Sequence, residues 1–132
     1  MKATIDTSAL IAVIGHEASR DKIIEITKGY SLFAPVSVHW EIGNAFSAMF
    51  KRKKSDLEKA KRALAAYREI PIKYIDVPLE RTLEISDALN IYAYDAYLIQ
   101  CAQQTSTPLL TLDTGLITAA KKMGIHILEL NQ

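Results

Sequence analysis

The chain alternates short apolar runs with longer stretches of helical periodicity, and two of those runs stop on an aspartate. Residues 3–5 end at Asp6 and residues 109–112 end at Asp113. Runs this short suit buried strands, and strands separated by helices point to a parallel sheet. The remaining spacing supports that reading. Lys2 to Ile5 reads as the first strand, and Thr7 to Ile14 as a helix with Asp6, Thr7 or Ser8 as its cap. Residues 18–27 form an amphipathic helix closed by Gly29. A second strand over 32–34 stops at Pro35. Helices over 38–53 and 56–69 follow, the latter with Leu57, Ala60, Leu64 and Tyr67 on one stripe. Pro71 ends that helix. A strand over 72–77, helices over 79–89 and 95–104, a strand over 109–112, a helix over 114–123 with Gly124 as its cap, and a strand over 125–128 complete the order. The prediction is an α/β domain whose sheet of about five strands is covered on both faces. At 132 residues it is one domain, long enough to bury roughly two-thirds of its unfolded surface.

In such sheets ligands bind beyond the carboxyl ends of the strands, where Asp6 and Asp113 are expected. Two more acids belong with them. Glu41 shares a helical face with Val38, Ala45 and Ala48, and Asp95 opens a helix among Tyr92, Tyr94 and Tyr97. Each has a plainer reading. The three aspartates suit helix N-termini, and Glu41 suits a salt bridge to a lysine or arginine. Taken together, four carboxylates around one pocket repel: at ~4 Å and an effective dielectric near 20, each pair costs about 4 kcal/mol. They then require a divalent cation or raised pKa values. Hard oxygen ligands suit Mg²⁺ or Mn²⁺, which polarises a phosphodiester and acidifies an attacking water. Ser8 and Thr111, each two residues from an aspartate, are able to orient a carboxylate or to make turn bonds.

The formal net charge of +1 says little about partners, but eight of the 16 basic residues lie within residues 51–68. Lys51, Arg52, Lys53 and Lys54 open that run. It suits either a nucleic-acid backbone or a solvated helix face. Trp40, beside Glu41, suits core packing or a lid over the pocket, and the three tyrosines suit base stacking or a subunit interface. The single cysteine, Cys101, excludes an internal disulfide and a cysteine zinc ribbon and reads as a buried small residue. His16, His39 and His126 show no ligand spacing. No run is long enough to span a membrane, and the opening segment, broken by Asp6, lacks a signal-peptide cleavage pattern. A cytoplasmic location is expected.

The segments Ile5-Asp6-Thr7-Ser8-Ala9-Leu10-Ile11, Tyr94-Asp95-Ala96-Tyr97-Leu98 and Pro108-Leu109-Leu110-Thr111-Leu112-Asp113, with Glu41 between the first two, resemble the PIN-domain ribonucleases. The likeness is strongest to the single-domain VapC-type toxins of toxin–antitoxin pairs. It covers essentially residues 1–132, in order and in length. It implies a three-layer α/β/α fold and an Mg²⁺- or Mn²⁺-dependent endoribonuclease, often a homodimer, inhibited by a cognate antitoxin. Asp6, Glu41, Asp95 and Asp113 match the family's four metal-binding, catalytic acids, and Ser8 and Thr111 its accessory hydroxyls. Some members carry a further acid just after the last aspartate; Thr114, Gly115, Leu116 and Ile117 supply none. The alternative within the fold is a catalytically silent RNA- or protein-binding module. A haloacid-dehalogenase-type phosphatase would need a second aspartate where Ser8 stands. A receiver-type signalling domain would need a lysine at the end of a late strand.

Overall fold

The computed structural model describes residues 1–130. Its first strand, β1 (Lys2–Ile5), is buried at Ala3, Thr4 and Ile5 alike because it lies inside the sheet. β2 (Ser31–Pro35) pairs with one edge of β1 and β4 (Leu109–Leu110) with the other, both parallel. β3 (Ile72–Ile75) adds to the far side of β2. The order is β3-β2-β1-β4. Parallel neighbours cannot be joined by tight turns, so helices fill the connections.

The alternation along β1 divides the core. Ala3 and Ile5 join one apolar cluster with Leu10 of α1 (Thr7–Ile14), Ile23 of α2 (Arg20–Ile26), Ile42 and Phe46 of α3 (Val38–Lys51), and Ala60 and Tyr67 of α4 (Leu57–Glu69). Thr4 is buried too, and its hydroxyl is satisfied by the hydroxyl of Thr107 at 2.8 Å. A second cluster gathers Ile85 of α5 (Leu79–Leu89), Leu98 and Ile99 of α6 (Ala93–Thr105), Leu109, and Leu116 of α7 (Thr114–Lys122). Helices thus cover the sheet in three layers.

Four expectations need correction. Residues 125–128 do not form a full strand: Ile127 makes one parallel bridge to Leu109. β4 spans only Leu109–Leu110, and Leu109 alone meets this segment, donating its N–H to His126 O at 2.8 Å and accepting from Leu128 N–H at 2.9 Å. Leu112 N–H donates to Ser8 Oγ at 3.0 Å and Asp113 N–H to Thr111 Oγ1 at 3.0 Å. The stripe on α4 is rotated, with Ala60, Ala63 and Tyr67 buried and Leu57 58% exposed. α2 ends at Ile26 with Thr27 as its cap, and Gly29 (φ +78°) supplies the left-handed turn into β2 two residues later. Finally, α6 starts at Ala93, which places Asp95 in its first turn rather than at its mouth. Cys101 is buried as expected, and burial pushes its thiol up to about 11.

Candidate functional site

β1, β2 and β4 each run into a helix at their carboxyl ends, so α1, α3 and α7 begin along one edge of the sheet. Asp6 bridges β1 and α1, and its Oδ1 accepts from Ala9 N–H at 2.9 Å. Asp113 bridges β4 and α7, and its Oδ1 accepts from Gly115 and Leu116 N–H at 2.9 and 3.2 Å. The capping reading of both residues is therefore correct, and it coexists with their placement at the site. Glu41 and Asp95 stand in the first turns of α3 and α6.

Asp6 is the centre of this edge and only 4% exposed. Two hydroxyls serve it. Ser8 Oγ lies 2.8 and 2.9 Å from its two carboxylate oxygens, and Thr111 Oγ1 donates to Oδ2. Those same hydroxyls receive the N–H groups of Leu112 and Asp113. Each is thereby turned so that its proton faces Asp6, which fixes the carboxylate between β1 and β4. Ser8 and Thr111 thus both hydrogen-bond the Asp6 carboxylate.

Charge links the four acids in a closed circuit. Burial raises the Asp6 carboxyl against the opposing hydrogen bonds of Thr111, Ala9 and Ser8, and Asp113 raises it further. Burial pushes Glu41 up to about 7, with Asp6 and Asp95 adding to the shift and the Thr7 hydrogen bond opposing it. Asp95 is raised by burial and then by Asp113. Helix N-termini favour anions, but here desolvation and mutual repulsion win. No basic side chain relieves them: among the described residues the ion pairs are Arg20–Asp21 and Arg81–Glu84. The salt-bridge reading of Glu41 therefore fails. Its partner is Thr7, whose Oγ1 donates to Oε2 at 3.1 Å, a contact no local pattern announced because the residues lie 34 apart.

Carboxylates without a cation are a donor set suited to a hard divalent ion. The carboxylates are nevertheless widely spaced: among the described residues, no three His, Cys, Asp or Glu side chains are gathered closely enough to hold a metal ion as they stand. Asp6 and Asp113 already spend oxygens on hydroxyls and capping N–H groups, so the set fits an ion in chemistry and charge more than in spacing.

The basic residues lie elsewhere. Lys51 ends α3, ten residues beyond Glu41, which at 1.5 Å per residue is about 15 Å along the axis. Arg52, Lys53 and Lys54 continue into the exposed turn. Lys54 lines a cleft of about 410 Å³ between α1, α3 and α4, with Lys59 and Arg62. Among the described residues no histidine joins the acids in a group able to hold a metal ion. His39, for example, bonds Tyr67 Oη at 2.9 Å and stacks on Tyr74.

The PIN domain family matches residues 3–122, nearly the whole chain. The chain belongs to the PIN-domain family. Solved PIN-like structures share its fold. The PAE2754 protein of Pyrobaculum aerophilum superposes with a TM-score of 0.71 at 24% identity, over 90% of this chain and 79% of that one. VapBC2 from Rickettsia felis, bound to a DNA fragment from its promoter, gives 0.67 at 18% identity over 98% of each chain. VapC20 of Mycobacterium tuberculosis, a Sarcin-Ricin loop cleaving toxin, gives 0.63 at 13% identity over 89% of this chain and 94% of that one. No curated protein matches. Among the described residues no helix of this PIN domain is long and apolar enough to cross a membrane.

Proposed function

We propose that this PIN domain is a toxin-type endoribonuclease that depends on Mg²⁺ or Mn²⁺. The observation that carries the reading is the circuit of Asp6, Glu41, Asp95 and Asp113. Asp6, Glu41 and Asp95 are each raised by a neighbouring carboxylate, and among the described residues none of the four has a basic partner. Keeping such a set at a strand-end edge opposes folding, as expected where function sets the residues.

The four acids are the proposed ligands. A bound ion supplies charge neutralisation and polarisation of the phosphodiester and acidifies the attacking water. The chain's own work is positioning. Ser8 and Thr111 hold Asp6, Thr7 holds Glu41, and the first turns of α3 and α6 aim Glu41 and Asp95 along the same edge. Burial of Asp6 keeps bulk water from competing for it. Lys51, Arg52, Lys53 and Lys54 are proposed to engage RNA phosphates beyond the cleaved bond, along the length of α3. The toxin reading, with an antitoxin partner, is supported by likeness to VapBC2 and to FitAcB from Neisseria gonorrhoeae, which superposes with a TM-score of 0.55 at 16% identity over 97% of each chain; a homodimer is proposed with it.

The open spacing of the acids favours a second reading, a PIN-fold module that binds RNA or protein without cleaving it. Incubating purified, partner-free protein with single-stranded RNA decides between them. Cleavage that requires added Mg²⁺ or Mn²⁺ supports the nuclease. Cleavage that survives excess chelator contradicts metal dependence, and tight binding without cleavage in either ion supports the module.

A further inference from the structure

Beside the acids lies a cleft of about 330 Å³ that the reaction leaves unused. It opens where β2 and β3 end, between the starts of α3 and α6. Two aromatic residues on its wall immediately precede site acids in the chain. Trp40 precedes Glu41 and is 68% exposed; Tyr94 precedes Asp95 and is 49% exposed. Tyr97 sits edge-on to Tyr94, with ring centroids 6.1 Å apart. Val77 and Leu79 add apolar wall, and Asp76 brings a carboxylate.

Large aromatic faces left in water beside a polar site have a use when a planar partner covers them. No lysine or arginine lines the cleft, so it does not suit a phosphate. It suits a neutral flat ring with amino groups for Asp76 to accept from, which describes a nucleobase. None of the four acids lines the cleft, but Trp40 and Tyr94 stand one residue, about 3.8 Å of backbone, from Glu41 and Asp95, so it lies within a nucleotide's reach of the acid edge. A strand whose phosphate lies at the acids would therefore bring an adjacent base to this wall. A second copy of the chain docked wall to wall suits it less well, since it would seal Asp76 against a matching carboxylate.

The geometry points to a base-binding subsite formed by Trp40, Tyr94 and Tyr97, one that selects RNA with an unpaired base next to the cleaved bond. This deepens the nuclease reading and rests on it. Only an unstacked base presents a free face, and stacking on aromatic residues is tolerant of sequence. The subsite therefore selects loops, bulges and single strands over duplex.

Trp40 is the chain's only tryptophan, so its fluorescence reports on this wall alone. The probe is a mixed-sequence single-stranded RNA hexamer with 2′-O-methyl groups, titrated in Mg²⁺ beside an abasic hexamer. Overall binding is followed separately by anisotropy of an end label. The expected result is quenching of Trp40 by the base-bearing strand and little by the abasic one. Tyr94→Ala should weaken that strand's binding by about tenfold, and Tyr94→Phe should preserve it. Anisotropic binding with no quenching, or equal quenching by the abasic strand, overturns the subsite while leaving the nuclease reading intact. Absence of binding by either measure overturns both. Trp40 emission that changes on dilution without RNA, in step with a change of mass in light scattering, assigns the wall to self-association instead.

Discussion

Thr7 Oγ1 donates a hydrogen bond to Glu41 Oε2 at 3.1 Å, joining the first turn of α1 to the first turn of α3. This contact holds Glu41 beside Asp6, and it opposes the upward push of burial on the Glu41 carboxyl. A hydrogen bond to a charged group contributes about 1.5–3 kcal/mol.

Thr7→Val should therefore lower the cleavage rate by about tenfold and the melting temperature by several degrees, while Thr7→Ser should keep most of both. Initial rates on one RNA, beside thermal melts, check it. A Thr7→Val protein with full activity would show that Glu41 needs no such support.

Thr111 plays the matching part for Asp6. Its hydroxyl donates to Oδ2 and lowers a carboxyl that burial raises. Thr111→Val removes that opposition, so the acidic limb of the pH–rate profile should move to higher pH. Thr111→Ser should leave it in place. An unmoved limb in Thr111→Val would separate Asp6 from the titration that controls rate.

Stability without metal should fall as pH rises. Glu41 goes from 4.5 up to about 7 on folding. Below about 4.5 its carboxyl is protonated in both states. Between about 4.5 and about 7 the folded chain holds a proton the unfolded chain has lost, so raising pH through this window favours unfolding. Asp6 and Asp95, also raised, act in the same direction. In chelator the melting temperature should be lower at pH 8 than at pH 5.5. Glu41→Gln should reduce the difference, and Mn²⁺ at pH 8 should recover part of the loss for the unaltered protein alone. Equal melting at both pH values would contradict the charge coupling.

Lys53 and Lys54 supply a test of the basic turn. If both contact phosphates, neutralising them to Gln should flatten the plot of log affinity against log salt by about 1.4 for a single strand. An unchanged slope would make the turn a solvated surface.

The first strand and the acids at strand ends were legible because an apolar run bounded by an acid marks both the strand and its carboxyl end. Asp6 and Asp113 needed no long-range information. The start of α6 was not legible: Ala93 and Tyr94 carry no capping side chain, and Tyr92 turns the chain with its backbone alone. The fifth strand was misread for a different reason. Residues 125–128 have strand-like composition, but β4 is two residues long and offers them only Leu109, and pairing depends on the neighbour. Lys51 follows Glu41 closely in the chain, yet a helix turns that nearness into about 15 Å. The Thr7–Glu41 bond and the wall shared by Trp40 and Tyr94 exist only once the sheet brings α1, α3 and α6 to one edge.

The most direct measurement compares unaltered protein with Asp95→Asn on single-stranded RNA, each in Mg²⁺, in Mn²⁺ and in chelator. Asp95 is half-buried and makes no capping bond on which folding depends, so its loss should spare the fold. The account predicts cleavage in either ion, none in chelator, and a loss of about hundredfold or more in the variant with an unchanged melting curve. Equal cleavage by both proteins, or cleavage in chelator, would contradict it.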